Sequence, residues 1–160
     1  MTRPDKSQYR PCVGTMLINA NGEAFVGKRI DNREGDWWQM PQGGVDDGED
    51  LDAAMLRELG EETGLKPRHL EIVARLDEEL YYDLPEELRG KLWGGRYKGQ
   101  RQYWYLVRFT GEDSDVDLEA YKHPEFCEWR WVAPELLPEL IVPFKKPIYE
   151  AVVAGFSGKG

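Results

Sequence analysis

The stretch "GGVDDGEDLDAAMLRELGEETGL", residues 43–65, decides how the rest of the chain is read. Acidic residues open its second half, good helix formers fill the middle, and Gly64 stands at the C′ position, which predicts a helix over residues 50–63. On a wheel at ~100° per residue, Leu51, Met55, Leu56 and Leu59 span one apolar arc. Glu58, Glu61 and Glu62 fill a neighbouring arc that overlaps its edge, beside the small Ala54. The carboxylates therefore border the buried side of the helix. Glu58 and Glu62 form an i,i+4 like-charge pair that costs a few tenths of a kcal/mol even when exposed. Of the positions four residues beyond these glutamates (62, 65 and 66), only Lys66 is a relieving cation. A solvated acidic face and a site for a hard divalent cation both fit the turn taken alone. Carboxylates without Cys or His favour Mg²⁺ or Mn²⁺ over zinc in the second case.

Outward from the helix, the pattern is mostly strand. "VGTMLIN" (13–19) and "AFVGKR" (24–29) flank the hairpin signal "NANG". Residues 30–50 read as loop with one short strand at 37–40. "LEIVARLDEELYYDL" (70–84), "RQYWYLVRF" (101–109) and "CEWRWV" (127–132) read as strands, and "PEELRGKLWGGRYKGQ" (85–100) as an exposed insertion. "APELLPEL" (133–140) predicts a short helix and "KKPIYEAVVAGF" (145–156) a closing one, with Pro147 tolerated in its first turn. Strands on both sides of one central helix predict an α+β fold, a mixed sheet with helices packed on it.

At 160 residues the chain suits one domain, 1–160, with polar residues 1–8 and residues 156–160 expected to be flexible. No apolar run approaches a membrane span, and the polar start lacks a secretory signal's apolar core. Cys12 and Cys127 are far apart, which points to two buried thiols and a cytoplasmic, reducing setting. A net charge of −9 argues against gripping a long polynucleotide backbone, DNA included, yet leaves a phosphorylated end or small nucleotide open.

Gly43, Glu49, Arg57, Glu58, Leu59, Glu61, Glu62, Gly64 and Leu65 fill every fixed position of G-x5-E-x7-R-E-U-x-E-E-x-G-U. The chain thereby resembles the Nudix hydrolase family, whose box is a loop–helix–loop in an α/β/α sandwich. The resemblance implies Mg²⁺-dependent cleavage (Mn²⁺ or another divalent cation serving too) of a nucleoside diphosphate linked to another group. It assigns Glu58, Glu61 and Glu62 as metal ligands, with a carbonyl near Gly43, and Arg57 and Glu49 as the ion pair that orients them. The segments "YRPCVGTMLIN", "WWQMPQGGVDDGE", "GQRQYWYLV", "PEFCEWRWV" and "VPFKKPIY" are similar to the bacterial RNA pyrophosphohydrolases. That group overlaps the dinucleoside polyphosphate hydrolases, invasion-associated ones included.

From that likeness the substrate would lie against Arg10, Arg29, Trp38 or its neighbour Gln39, Tyr82, Arg101 and Phe144. Arginines suit phosphate or a guanine edge, and an aromatic ring stacks on a base. A basic residue commonly stands in this group where Tyr103 stands, which weakens the expectation for that strand. Glu125 in "HPEF" is the expected outside glutamate, a further metal ligand and the first candidate for the base that activates water, with Glu61 second. The implied reaction is loss of pyrophosphate from a 5′-triphosphorylated RNA end to leave a 5′-monophosphate. The alternative is hydrolysis of a dinucleoside polyphosphate such as diadenosine tetraphosphate. A sugar-nucleotide or ADP-ribose hydrolase would share the box but not the flanks, and a non-catalytic nucleotide-binding domain would have lost a box glutamate. No membrane or protein partner is expected.

Overall fold

A computed structural model of the protein describes residues 5–30 and 36–159. Strand β1 (Tyr9–Ile18) runs through the centre of a seven-stranded sheet, parallel to β6 (Gly99–Phe109) along its whole length. On its other side β1 meets β2 (Ala24–Arg29), which pairs antiparallel with the edge strand β7 (Phe126–Val132). Strands β4 (Leu70–Arg75) and β5 (Leu80–Asp83) both lie antiparallel to β6. The mixed sheet expected from the sequence is therefore present.

One strand falls elsewhere than expected. The short element after β2 is β3 (Gln42–Gly44), paired with β1, whereas around residues 37–40 only Gln39 makes a bridge, to Gly27. Pro41 ends the first stretch, and its carbonyl accepts from Thr15 of β1. The 85–100 stretch holds two short 3₁₀ turns before its last two residues join β6.

Helix α1 (Leu51–Thr63) starts where Asp50 accepts from the Ala53 N–H at 3.1 Å and stops at Gly64, which is left-handed at φ 75°. A Cβ at Gly64 would also lie 2.6 Å from the Asp117 carbonyl, so both backbone and packing require glycine there. Ala54, Met55 and Leu59 bury against Val13, Leu17, Phe25, Tyr105 and Val107 on one sheet face. Each of the larger side chains contributes roughly 1.5–3 kcal/mol by leaving water. The opposite face carries α2 (Leu137–Leu140) and α3 (Lys146–Phe156), whose Leu137, Ile148, Tyr149 and Val152 pack on Met16, Trp104 and Leu106. The result is an α/β/α sandwich.

Of the terminal stretches, residues 1–4 and 160 lie outside the described residues, Lys6–Gln8 form a 3₁₀ turn, and Phe156 is buried. Cys12 is buried as expected; Cys127, on edge strand β7, is exposed. No helix among the described residues is long and apolar enough to cross a membrane.

Candidate active site

Arg57 organises the acidic side of the site. Its Nε and Nη2 clasp the two Glu49 oxygens at 2.8 Å each, and Nη1 donates to Glu58 at 2.9 Å and Glu61 at 3.5 Å. Nη2 also donates to the Gly44 carbonyl at 2.9 Å, which ties the helix to β3. The fork geometry of guanidinium suits these converging acceptors, and a lysine could not span them. Glu49 in turn accepts from the Asp46 N–H, and its hydrogen bonds to Arg57 hold its pKa down at about 2. The orienting ion pair implied by the sequence is thus formed.

The helical wheel also holds, with the three glutamates graded by depth. Glu61 is part-exposed and Glu58 largely covered, while Glu62 is 2% exposed. Burial raises the Glu58 pKa, and it raises that of Glu62 strongly, with the Glu58 and Glu125 charges adding to the effect. Glu62 Oε1 accepts a long 3.4 Å bond from the Gln42 N–H, and its Oε2 has no hydrogen-bond partner. A buried carboxylate oxygen without a donor is costly unless a cation meets it. Gly43 adds a second sign of fit: a Cβ there would fall on the Glu58 carboxylate, so the backbone comes as close to the acids as it can. Among the described residues no three His, Cys, Asp or Glu side chains are already gathered around one point. Arg57 holds Glu58 and Glu61, and Glu62 lies deeper. An all-oxygen, acidic donor set with an orphaned oxygen suits Mg²⁺ or Mn²⁺.

Glu125 precedes β7 and is half exposed. Arg29 Nη1 lies 3.6 Å from its Oε2, and the Ile30 N–H donates to its carbonyl at 2.9 Å. The end of β2 and the start of β7 therefore carry Glu125 toward Glu58 and Glu62, where its charge adds to the burial that raises their pKa values.

The opposite wall is aromatic and cationic. Tyr82 and Phe144 meet with ring centroids 5.8 Å apart, and the Lys145 ammonium lies 5.7 and 5.8 Å from them. Burial, with Arg29 contributing repulsion, lowers the Lys145 pKa to about 8. Arg10 reaches across to Cys12 at 3.8 Å and approaches Gly44, where any Cβ would strike its guanidinium. Burial pushes the Cys12 thiol up to about 11, which leaves it a neutral part of the wall.

Two expected contacts are not brought here. Arg101 shares the α1 face of β6 with Tyr103, donating to its hydroxyl at 2.6 Å, while Tyr82 and Phe144 pack with the opposite face. Alternation along the strand explains this, since Gln100 and Gln102 point to the other side. Gln39 is buried and uses its backbone to bridge Gly27, and Trp38 packs into the core under the Arg130 guanidinium. Lys145 escaped the sequence reading. "KK" at 145–146 carries no sign of which lysine turns inward, whereas in the fold Lys146 pairs with Glu139 at 3.1 Å.

Comparison with known proteins agrees with this geometry. The NUDIX domain model matches residues 8–152. An RNA pyrophosphohydrolase of Novosphingobium aromaticivorans is 61% identical over 148 residues, 92% of each chain. One of Roseobacter denitrificans is 57% identical over 148 residues, covering 92% of this chain and 91% of the relative. Among solved structures, an Ap4A hydrolase of C. elegans in a binary complex superposes with a TM-score of 0.66 at 22% identity, over 93% of this chain and 98% of that one. The E. coli dihydroneopterin triphosphate pyrophosphohydrolase gives 0.69 at 17% identity, over 91% and 97%. At such identities these two speak for the fold. With its box filled, its sandwich formed and Glu58 set beside Gly43, the chain belongs to the Nudix hydrolase family.

Proposed function

We propose that this protein removes pyrophosphate from the 5′-triphosphate end of RNA and leaves a 5′-monophosphate. The observation that carries the reading is the pairing of a buried acidic cluster with a cationic, aromatic wall, in a chain 61% identical to an RNA pyrophosphohydrolase along 92% of its length. Glu58, Glu61, Glu62 and Glu125, with the Gly43 carbonyl, would hold the divalent cations. Bound there, the cations would polarise phosphoryl oxygens and lower the pKa of a water. Arg57 and Glu49 fix Glu58 and Glu61 in place, so that the acids need no rearrangement before use. Glu125, half exposed beside Arg29, would accept a proton from an attacking water, with Glu61 the second candidate. Arg10, Arg29 and Lys145 neutralise the phosphates, and Tyr82 with Phe144 receives a base.

The test supplies Mg²⁺ and, separately, 5′-triphosphorylated RNA and diadenosine tetraphosphate to the wild type and to Glu62→Gln. Pyrophosphate and monophosphorylated RNA are the expected products of the wild type, with the variant nearly inactive. Turnover of the dinucleotide alone would transfer the assignment to dinucleoside polyphosphate hydrolysis. Silence with both would defeat the enzyme reading.

A further inference from the structure

Charge is distributed unevenly in this chain. The net charge is −9, yet from Arg89 to Arg108 there are six Lys or Arg residues and no Asp or Glu. Two of the six sit on β6 and have partners: Arg101 on the Tyr103 hydroxyl, and Arg108 on Glu71 at 2.7 Å. The other four, Arg89, Lys91, Arg96 and Lys98, belong to the loop between β5 and β6. Arg89 is used internally, donating to the Leu84 carbonyl at 3.1 Å and to Asp83 at 3.3 Å. Lys98 lies over the Tyr9 ring. Lys91 and Arg96 are exposed, and among the described residues neither meets a carboxylate. Arg96 lies 5.0 Å from the ring centre of half-buried Tyr97.

The loop is anchored. The Leu84 N–H donates to the Lys98 carbonyl at 2.8 Å, the Lys98 N–H to Gln8 at 2.9 Å, and Leu88 packs on the core cluster that contains Tyr82. Leu84 is two residues beyond Tyr82, the ring that faces Phe144. The loop that carries Lys91 and Arg96 thus starts from the strand that holds Tyr82. In an acidic molecule, two exposed cations that meet no carboxylate among the described residues form a local exception that complements a phosphate backbone.

We propose that the 89–98 loop is a track for the body of a single-stranded polyribonucleotide whose 5′ end occupies the active site. Lys91 and Arg96 take backbone phosphates. The assignment rests on the RNA reading above and adds to it. A dinucleoside polyphosphate has no phosphates beyond its second nucleoside and gains nothing from the track, so the loop favours RNA over that competitor. Two contacts also respect the overall charge, since they can guide a few nucleotides without gripping a long polymer.

The test uses the charge-reversed pair Lys91→Glu/Arg96→Glu and a milder Lys91→Gln/Arg96→Gln pair, each checked for an unchanged melting temperature. Binding of a 5′-hydroxyl octaribonucleotide is followed by fluorescence anisotropy from low to moderate salt. Two lost phosphate contacts should flatten the slope of log K against log salt by about 1.4. In turnover, kcat/KM for a triphosphorylated octamer should fall about tenfold in the Glu pair and less in the Gln pair. Values for a triphosphorylated dinucleotide and for diadenosine tetraphosphate should hold. Equal losses on short and long substrates, or an unchanged salt slope, would overturn the track. Weakened octamer binding without cleavage of any substrate by the wild type would keep the track and defeat the hydrolysis reading, and the converse result would do the opposite.

Discussion

Arg57 and Lys145 are both cations set into partly desolvated walls of one site, and their surroundings treat them in opposite ways. Arg57 bonds to Glu49, Glu58, Glu61 and the Gly44 carbonyl, and its hydrogen bonds to Glu49 and then Glu58 raise its pKa. Lys145 faces two rings and the like charge of Arg29, and its pKa falls to about 8. The first cation is consumed in positioning; it makes the acidic side rigid before any ligand arrives. The second is held without a carboxylate among the described residues, a state that an arriving anion improves. On the acidic side, Glu62 mirrors Lys145 as a buried acid with an orphaned oxygen. The site is thus a rigid frame around two charges of opposite sign, one suited to metal and one to phosphate.

Replacing the buried acid should give the largest effect. Glu62→Gln removes a charge that only a cation can satisfy, and kcat should fall about 10³-fold, on the scale of losing a preorganised charge in a water-excluded site. In chelator the same variant should melt no lower than the wild type, because an amide is cheaper to bury than a carboxylate with a bare oxygen. A variant that was inactive and also strongly destabilised in chelator would make Glu62 structural. Arg57→Lys tests the frame next. A lysine keeps the charge but loses the fork that spans Glu49, Glu58 and Gly44, so activity should drop about 10²-fold through misplacement. Stability should fall by about 1–3 kcal/mol from the acceptors left behind. Full activity in this variant would demote Arg57 to a surface brace. Lys145→Met should be milder, raising KM for triphosphorylated RNA about tenfold with kcat nearly kept, as loss of one charge-assisted phosphate contact predicts.

These two sides also differ in how far they could be read before folding. The acidic frame was legible because its members are contiguous in residues 43–62: helical periodicity places the three helix glutamates, and the family likeness adds Gly43, Glu49 and Arg57. The opposite wall is assembled from β1, β2, β5 and the segment before α3, so no local period announces it. Arg10, Arg29, Tyr82 and Phe144 were reachable through family likeness. Arg101 was not separated from Tyr82 and Phe144 until strand alternation placed it beside Tyr103 on the α1 face, and Lys145 was not separated from Lys146 until each found its neighbours. The strand expected at residues 37–40 shifted to 42–44 for a related reason. Its pairing depends on β1, and Trp38 and Met40 are drawn into the core instead.

The smallest effect sharpens the contrast most, because it isolates burial from catalysis. Below pH 8 the Lys145 ammonium is charged in the folded chain, and its lowered pKa means that this charge costs stability. Between about 8 and the ordinary 10.5 the folded chain sheds a proton that the unfolded chain keeps, so wild-type stability gains with rising pH in that window. Lys145→Met has no such proton to lose and can pack its thioether against Tyr82 and Phe144. Its melting temperature should therefore exceed that of the wild type at pH 7, by a margin that shrinks toward pH 10. A saturating nucleoside triphosphate at pH 7 should reverse the order, since the ligand's phosphates repay the wild-type ammonium and offer methionine nothing. A margin that ignored pH would mean that methionine merely packs better. A margin that ignored the nucleotide would mean that Lys145, unlike Arg57 in its carboxylate clasp, is buried without a ligand to meet.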